Sequence, residues 1–195
     1  NFMDGMDGFA GGMAMFGFGV FAVMGWMVGH DAFFFTSLII AAASAGFLIF
    51  NFPPARIFMG DIGSSTLGLL AATLSLWGAR DDVFPIWIAV LVFSPFIVDA
   101  TVTLFRRQLR GERVWQAHRE HYYQRLVRMG WGHRKTVLVE YALMATCGVS
   151  ALALRGAATD TQWVGMVGLA VMATVLMAWV DWRWRNHSAD PEKIS

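Results

Sequence analysis

FAGGMAMFGFGVFAVMGWMVG, residues 9–29, runs without a single charged side chain. Crossing about 30 Å of hydrocarbon takes roughly 20 residues of helix, and inside the bilayer a helix is the form that bonds every backbone amide within one segment. The stretch therefore reads as a transmembrane helix, and the rest of the chain follows the same pattern. Five further apolar runs of similar length lie at residues 32–50, 62–79, 83–105, 136–154 and 161–180, and only Asp99 and Glu140 are charged inside them. Apolar residues make up 56% of the chain and charged residues 15%, against about 45–50% and 25% in soluble domains. The expected fold is an all-α, polytopic membrane bundle of about six transmembrane helices. Residues 1–187 form the membrane-embedded domain, and residues 188–195 form a short polar tail expected to be disordered.

Six spans alternate in direction, so the connections after the first, third and fifth share one side. That side carries Arg80 and Arg155. The other side collects Arg56, nine cations from Arg106 to Lys135, and Arg183, Arg185 and Lys193. By the positive-inside rule the cation-rich side is cytoplasmic and both ends of the chain lie there. The net charge of +1 hides this split. Tight turns at residues 29–31, 80–82 and 155–160 leave the larger segments, and hence the chemistry, on the basic side. Cys147 is the only cysteine and sits in an apolar span, so no disulfide framework exists. No repeat is visible, and the chain, beginning at Asn1 with Asp4 and Asp7 directly before a full-length span and no leader-like segment, reads as starting in mid-protein.

Three polar segments on the basic side carry candidate chemistry. In NFMDGMDG, residues 1–8, Asp4 and Asp7 each precede a glycine, which lets backbone approach a ligand closely; the alternative is a turn with carboxylates placed to suit a helix N-terminus. In NFPPARIFMGDIGSS, residues 51–65, prolines stop one helix and Asp61 opens another among small residues. Free amides at a helix start attract anions, whereas a carboxylate repels a bare phosphate unless a cation intervenes. The pairing suggests a hard divalent ion, Mg2+, shared between Asp61 and phosphate oxygens; the alternative is that Asp61 merely caps the span. In RRQLRGERVWQAHREHYYQRLVRMGWGHRK, residues 106–135, His118 and His121 would share one face of a helix with Arg125 a turn beyond. That face suits a diphosphate, and equally an interfacial helix with its aromatic residues at headgroup depth. A zinc site is disfavoured by the ligand count. Asp99 and Glu140, acids inside apolar spans, are expected to pair with loop arginines near the basic side.

Taken in order, these segments resemble the polyprenyl-phosphate N-acetylhexosamine-1-phosphate transferases, in particular the O-antigen initiating branch. NFMDGMDGFAGG is similar to that family's Asn-x-x-Asp-Gly-x-Asp-Gly-Leu-Ala segment, FMGDIGSSTLG to its Phe-Met-Gly-Asp-x-Gly-Ser segment, and HREHYYQRL to its histidine loop. The resemblance implies a ten- or eleven-helix enzyme of the bacterial inner membrane in which a polyprenyl phosphate oxygen attacks the β-phosphorus of a UDP-N-acetylhexosamine, with Mg2+ as cofactor and UMP released. It implies Asp61 as metal ligand and catalytic residue, with His121 and His118 also catalytic. Asp7, Asn51 and Phe58 would surround the uracil, Asp4 would lie nearer the ribose or diphosphate, Asn1 matches the leading asparagine, and Arg119 or Arg125 would contact the diphosphate. No nucleic-acid partner is implied, and a homodimer is one option. The family's Asp-Asp-x-x-Asp segment has no counterpart; Asp81 and Asp82 are adjacent but fall on the outer side, so the isolated 195 residues are expected to be inactive. Two other functions compete: a secondary transporter relaying protons through Asp99 and Glu140, which would call for paired broken helices, and a noncatalytic lipid-binding scaffold.

Overall fold

The computed structural model describes residues 5–113 and 120–188. Asn1, Asp4, His118 and Arg119, with the tail from residue 189 onward, lie outside the described residues. The elements are α1 (Phe9–Met27), α2 (Asp31–Asn51), α3 (Gly60–Arg80), α4 (Ile86–Val92), α5 (Ser94–Leu109), α6 (Tyr122–Leu126), a π-helical turn (Val127–Trp131), α7 (Gly132–Leu154) and α8 (Thr159–Ser188). Five stretches are long and apolar enough to cross a membrane, and a sixth arises if α4 and α5 count as one bent span. The protein is a multi-pass membrane bundle, all-α throughout the described residues.

α1 is the spine. It packs against α2 and α7, and its glycines make this approach close. A Cβ at Gly12 would run into the Tyr141 ring, and one at Gly17 into the Phe93 ring. Small residues at such crossings let dispersion contacts accumulate where no hydrophobic drive separates helix from lipid. Around this seam Phe18, Phe21, Phe33 and Phe84 are buried, and Phe21 meets Phe84 at a ring-centroid distance of 4.8 Å and Phe33 at 5.9 Å. The outward faces are also apolar. On α8, Val164, Val167, Val171 and Val175 are all more than half exposed and recur every three or four residues, a helical stripe suited to hydrocarbon.

The fourth span departs from the expected straight run over residues 83–105. Pro85 delays the helix start to Ile86, and the chain then bends by 79° between α4 and α5. Pro95 is the cause: it has no N–H to give to the carbonyl of Leu91, and its ring crowds that carbonyl. The Ser94 hydroxyl donates to Leu91 O instead, at 2.7 Å. A transporter built on paired broken helices would show two such bends; among the described residues there is one.

The helix ends sort into two layers. At the far end His30 Nε2 lies 3.0 Å from Asp81 Oδ2, Trp77 Nε1 donates to the same oxygen at 2.6 Å, and Arg155 Nε donates to Val83 O at 2.8 Å. The Arg80 guanidinium, then His30, holds the Asp81 carboxyl well below the usual carboxylate range. α3 has 21 residues, so at about 1.5 Å per residue Asp81 lies roughly 30 Å from Asp61. The adjacent acids Asp81 and Asp82 thus belong to the opposite end from the three polar segments.

Candidate functional site

The basic end is assembled by hydrogen bonds between segments distant in sequence. Gly8, with φ +75°, ends the first polar segment and donates its N–H to Asn51 Oδ1 at 2.9 Å; its carbonyl accepts from the Tyr141 hydroxyl at 2.7 Å. Asn51 Nδ2 donates to Ile57 O at 2.8 Å. Asn51 is buried, at 6% exposure, so its amide clamps the first segment to the proline loop that follows α2. Asp7 fastens the same junction: Oδ2 accepts the Ala55 N–H at 3.1 Å and lies 3.3 Å from His133 Nδ1 at the start of α7. On the other side of this turn Gly5 leaves no room for a Cβ against the Tyr123 hydroxyl and the Gln124 amide. The first segment therefore meets the second through Asn51 and Asp7, and the third through Tyr123.

The proline loop leads into α3. Phe58 is 74% exposed. Asp61, the second residue of α3, is exposed, and its carboxylate makes no hydrogen bond or ion pair with any described residue. Gly60 before it has φ +68°, a conformation a side chain would strain. As a metal ligand Asp61 fits in kind: it is a solvent-facing carboxylate oxygen donor at the start of a helix, unpartnered among the described residues. In number it is one, and no group of three His, Cys, Asp or Glu able to hold an ion occurs among the described residues. Mg2+ normally binds through one or two carboxylates plus substrate phosphates and water, so Asp61 suits that mode and no protein cage.

His121 differs from the expected helical face shared with His118. Its backbone is extended (φ −58°, ψ 150°) and it caps α6, which begins only at Tyr122. It is 2% exposed, its ring stacks on Tyr123 at an interplanar angle of 11°, and Nδ1 lies 3.2 Å from Asp99 Oδ1. Asp99 thus meets the histidine loop rather than an arginine, and no described arginine reaches Glu140. The arginines go elsewhere. Arg106 Nη1 donates to both oxygens of Asp181, at 2.8 and 2.7 Å, and Arg125 Nη1 donates to Asp181 Oδ1 at 2.9 Å. Arg125 Nε donates to Glu120 O at 2.9 Å, and its guanidinium sits 5.1 Å from the Tyr122 ring centroid. Arg125 is 9% exposed, an anchor of the loop to α8. Burial pushes the Glu120 carboxyl up, but Arg110, aided by Arg107 and Arg125, outweighs it and leaves the group below its ordinary range.

Asp181 and Tyr141 carry no expectation from the sequence, and His133 and Tyr123, though inside the basic segment, were not expected to meet the first one. Asp181 had a signal: it is the one acid in the run WVDWRWR, residues 179–185. An apolar cavity of about 360 Å³ adjoins the site between α4, α5, α7 and α8, lined among others by Leu91, Val98, Leu143, Leu176 and Trp131, with Glu140 on its wall.

Residues 1–79 match the model of glycosyl transferase family 4. A probable undecaprenyl-phosphate N-acetylglucosaminyl 1-phosphate transferase of Bacillus subtilis (strain 168) is 36% identical over 168 residues, covering 85% of this chain and 46% of that protein. A phospho-N-acetylmuramoyl-pentapeptide-transferase of Staphylococcus aureus (strain JH9) is 34% identical over 153 residues, covering 78% of this chain and 46% of that protein. The chain spans about half the length of these curated relatives, and no solved structure matches it. Three ordered motif segments brought to one end of a helical bundle, and relatives that match most of the chain, lead to one assignment: the chain belongs to glycosyl transferase family 4.

Proposed function

We propose that the protein containing this chain transfers an N-acetylhexosamine 1-phosphate from a UDP-sugar to undecaprenyl phosphate, releasing UMP. It works at the cytoplasmic face of a bacterial inner membrane, where it begins O-antigen or another envelope polysaccharide. The observation that carries this reading is the convergence of the three motif segments through Gly8–Asn51, Asp7–Ala55 and Gly5–Tyr123. The two relatives support it, since the names of both describe phospho-sugar transfer.

In this reading Asp61 is the metal-binding carboxylate, and Mg2+ held there would neutralise the donor's diphosphate and its developing charge. Asp7 and the exposed Phe58 ring flank the nucleotide, with Asn51 holding the loop that carries Phe58. His121 serves the diphosphate from beneath the histidine loop, with His118, Arg119, Asn1 and Asp4 as further contacts. Arg125, committed to Asp181, fixes the loop's height rather than binding phosphate. The acceptor's isoprenoid chain needs apolar surface beside the site, and the cavity between α5, α7 and α8 offers it. The 195 residues alone lack a counterpart of the family's acidic pair, and we take them to be inactive by themselves.

The test is UMP release in the full-length protein, measured with undecaprenyl phosphate, UDP-N-acetylhexosamines and Mg2+. Asp61→Asn should cut turnover by about 10³-fold or more, because one displaced charge at a phosphoryl centre is worth several kcal/mol. Membrane insertion and helix content should not change. Turnover within tenfold of wild type in the folded variant would refute the assignment of Asp61.

A further inference from the structure

We propose that Asp99 is the positioning residue of His121, holding the imidazole by Nδ1 so that whatever the ring does for the substrate runs through Nε2. The proposal rests on the transferase reading above for the reaction it serves, and on the geometry alone for the clamp itself.

Asp99 sits on α5, just past the Phe93 bend, and is 9% exposed. Its carboxylate gathers four donors. Oδ1 accepts the Thr103 hydroxyl at 3.0 Å and the Tyr122 N–H at 3.0 Å, and lies 3.2 Å from His121 Nδ1; Oδ2 accepts the Tyr123 N–H at 3.3 Å. No described arginine or lysine reaches it. A carboxylate buried away from cations is retained at a cost unless its hydrogen bonds do something. Here they fix one object from three sides: the backbone of the two residues after His121 and the ring of His121 itself. The Tyr123 ring lies nearly parallel to the imidazole and is itself fully buried, which fixes the ring plane as well. With Oδ1 also accepting from the Thr103 hydroxyl and the Tyr122 N–H, the carboxylate is the accepting partner of the ring, so Nδ1 is the nitrogen that carries a proton. This is the arrangement in which a carboxylate sets the tautomer and direction of a working histidine, a role whose loss typically costs about 10- to 100-fold in function.

The alternative is that Asp99 merely stabilises α6. Four full-length proteins separate the two: wild type, Asp99→Ala, His121→Ala and the double variant, each assayed for kcat and for KM toward the UDP-sugar. A positioning role makes Asp99→Ala lower kcat about 10- to 100-fold with KM within twofold, and makes it cost less than twofold further in the His121→Ala background, because Asp99 acts through the ring. A structural role lowers activity by the same factor in both backgrounds, and that result overturns the proposal, as does a kcat within threefold of wild type. If Asp99→Ala does not fold, the cycle is run with Asp99→Asn, which keeps the side-chain shape and an acceptor. Nitrogen-15 NMR of histidine-labelled protein supplies a readout independent of turnover. Wild type should show the Nδ1-protonated tautomer for His121, lost in Asp99→Ala; an unchanged tautomer overturns the clamp. Absence of turnover in wild type would sink the transferase reading and leave the NMR result to decide the clamp.

Discussion

Replacing Asn51 by Ala distinguishes a residue that touches the nucleotide from one that builds the place where the nucleotide sits. The substitution deletes two hydrogen bonds, from the Gly8 N–H and to the Ile57 carbonyl, each worth roughly 0.5–1.5 kcal/mol net. It also strands the Gly8 N–H in a buried junction, where an unmet donor costs about 1–3 kcal/mol. These terms overlap, and together they put the loss near 2–4 kcal/mol. For a chain of this size about 1 kcal/mol moves Tm by roughly 2–4 °C, so the ligand-free protein in detergent should melt about 4–15 °C lower. KM for the UDP-sugar should rise in step, since Asp7 and the loop bearing Phe58 lose their common tie. A residue whose amide only contacted uracil would raise KM and leave the ligand-free Tm unchanged. A raised KM with Tm within 1 °C of wild type would refute the clamp and return Asn51 to direct contact.

Two further outcomes follow from charged clusters. Asp181→Ala leaves Arg125 buried without its anion, and stability should fall by about 3 kcal/mol in a thermal melt, whereas replacing Arg125 by Met in the same protein should recover part of that loss; full additivity of the two changes would count against the anchor. At the far end Asp81 is held below its ordinary range, so its stabilising contribution is present above about pH 4, the unfolded value, and fades as pH falls further. The Tm gap between wild type and Asp81→Asn should therefore be full at pH 7 and narrow steadily on acidification from about pH 4 toward pH 2; a gap independent of pH would contradict the latch with Arg80 and His30.

Much of the architecture is legible because hydrocarbon imposes a length and a composition that any reader can count. Residues 9–29 and 32–50 announce α1 and α2 by lacking charge, and Asp61 announces itself by opening α3 after two prolines. What was not legible came from two sources. Pro95 bends the fourth span, yet its position in an apolar run fits either a kinked or a straight crossing until Ser94 and the neighbouring helices are seen. The arginine-rich loop advertised cations without naming their partners: Arg106 and Arg125 choose Asp181, 75 and 56 residues away, while Asp99 takes the histidine.

The sequence by itself determined that this protein lives in a membrane, which stretches are long and apolar enough to cross it, and which three segments are chemically unusual, because burial of backbone in lipid and the asymmetry of charge are properties of composition and order. Only the tertiary structure decided which polar side chain answers which. Partner choice depends on distances between helices set by glycine-deep packing along α1 and by the bend at Phe93, and no local pattern encodes a distance between residues 22 or 43 positions apart.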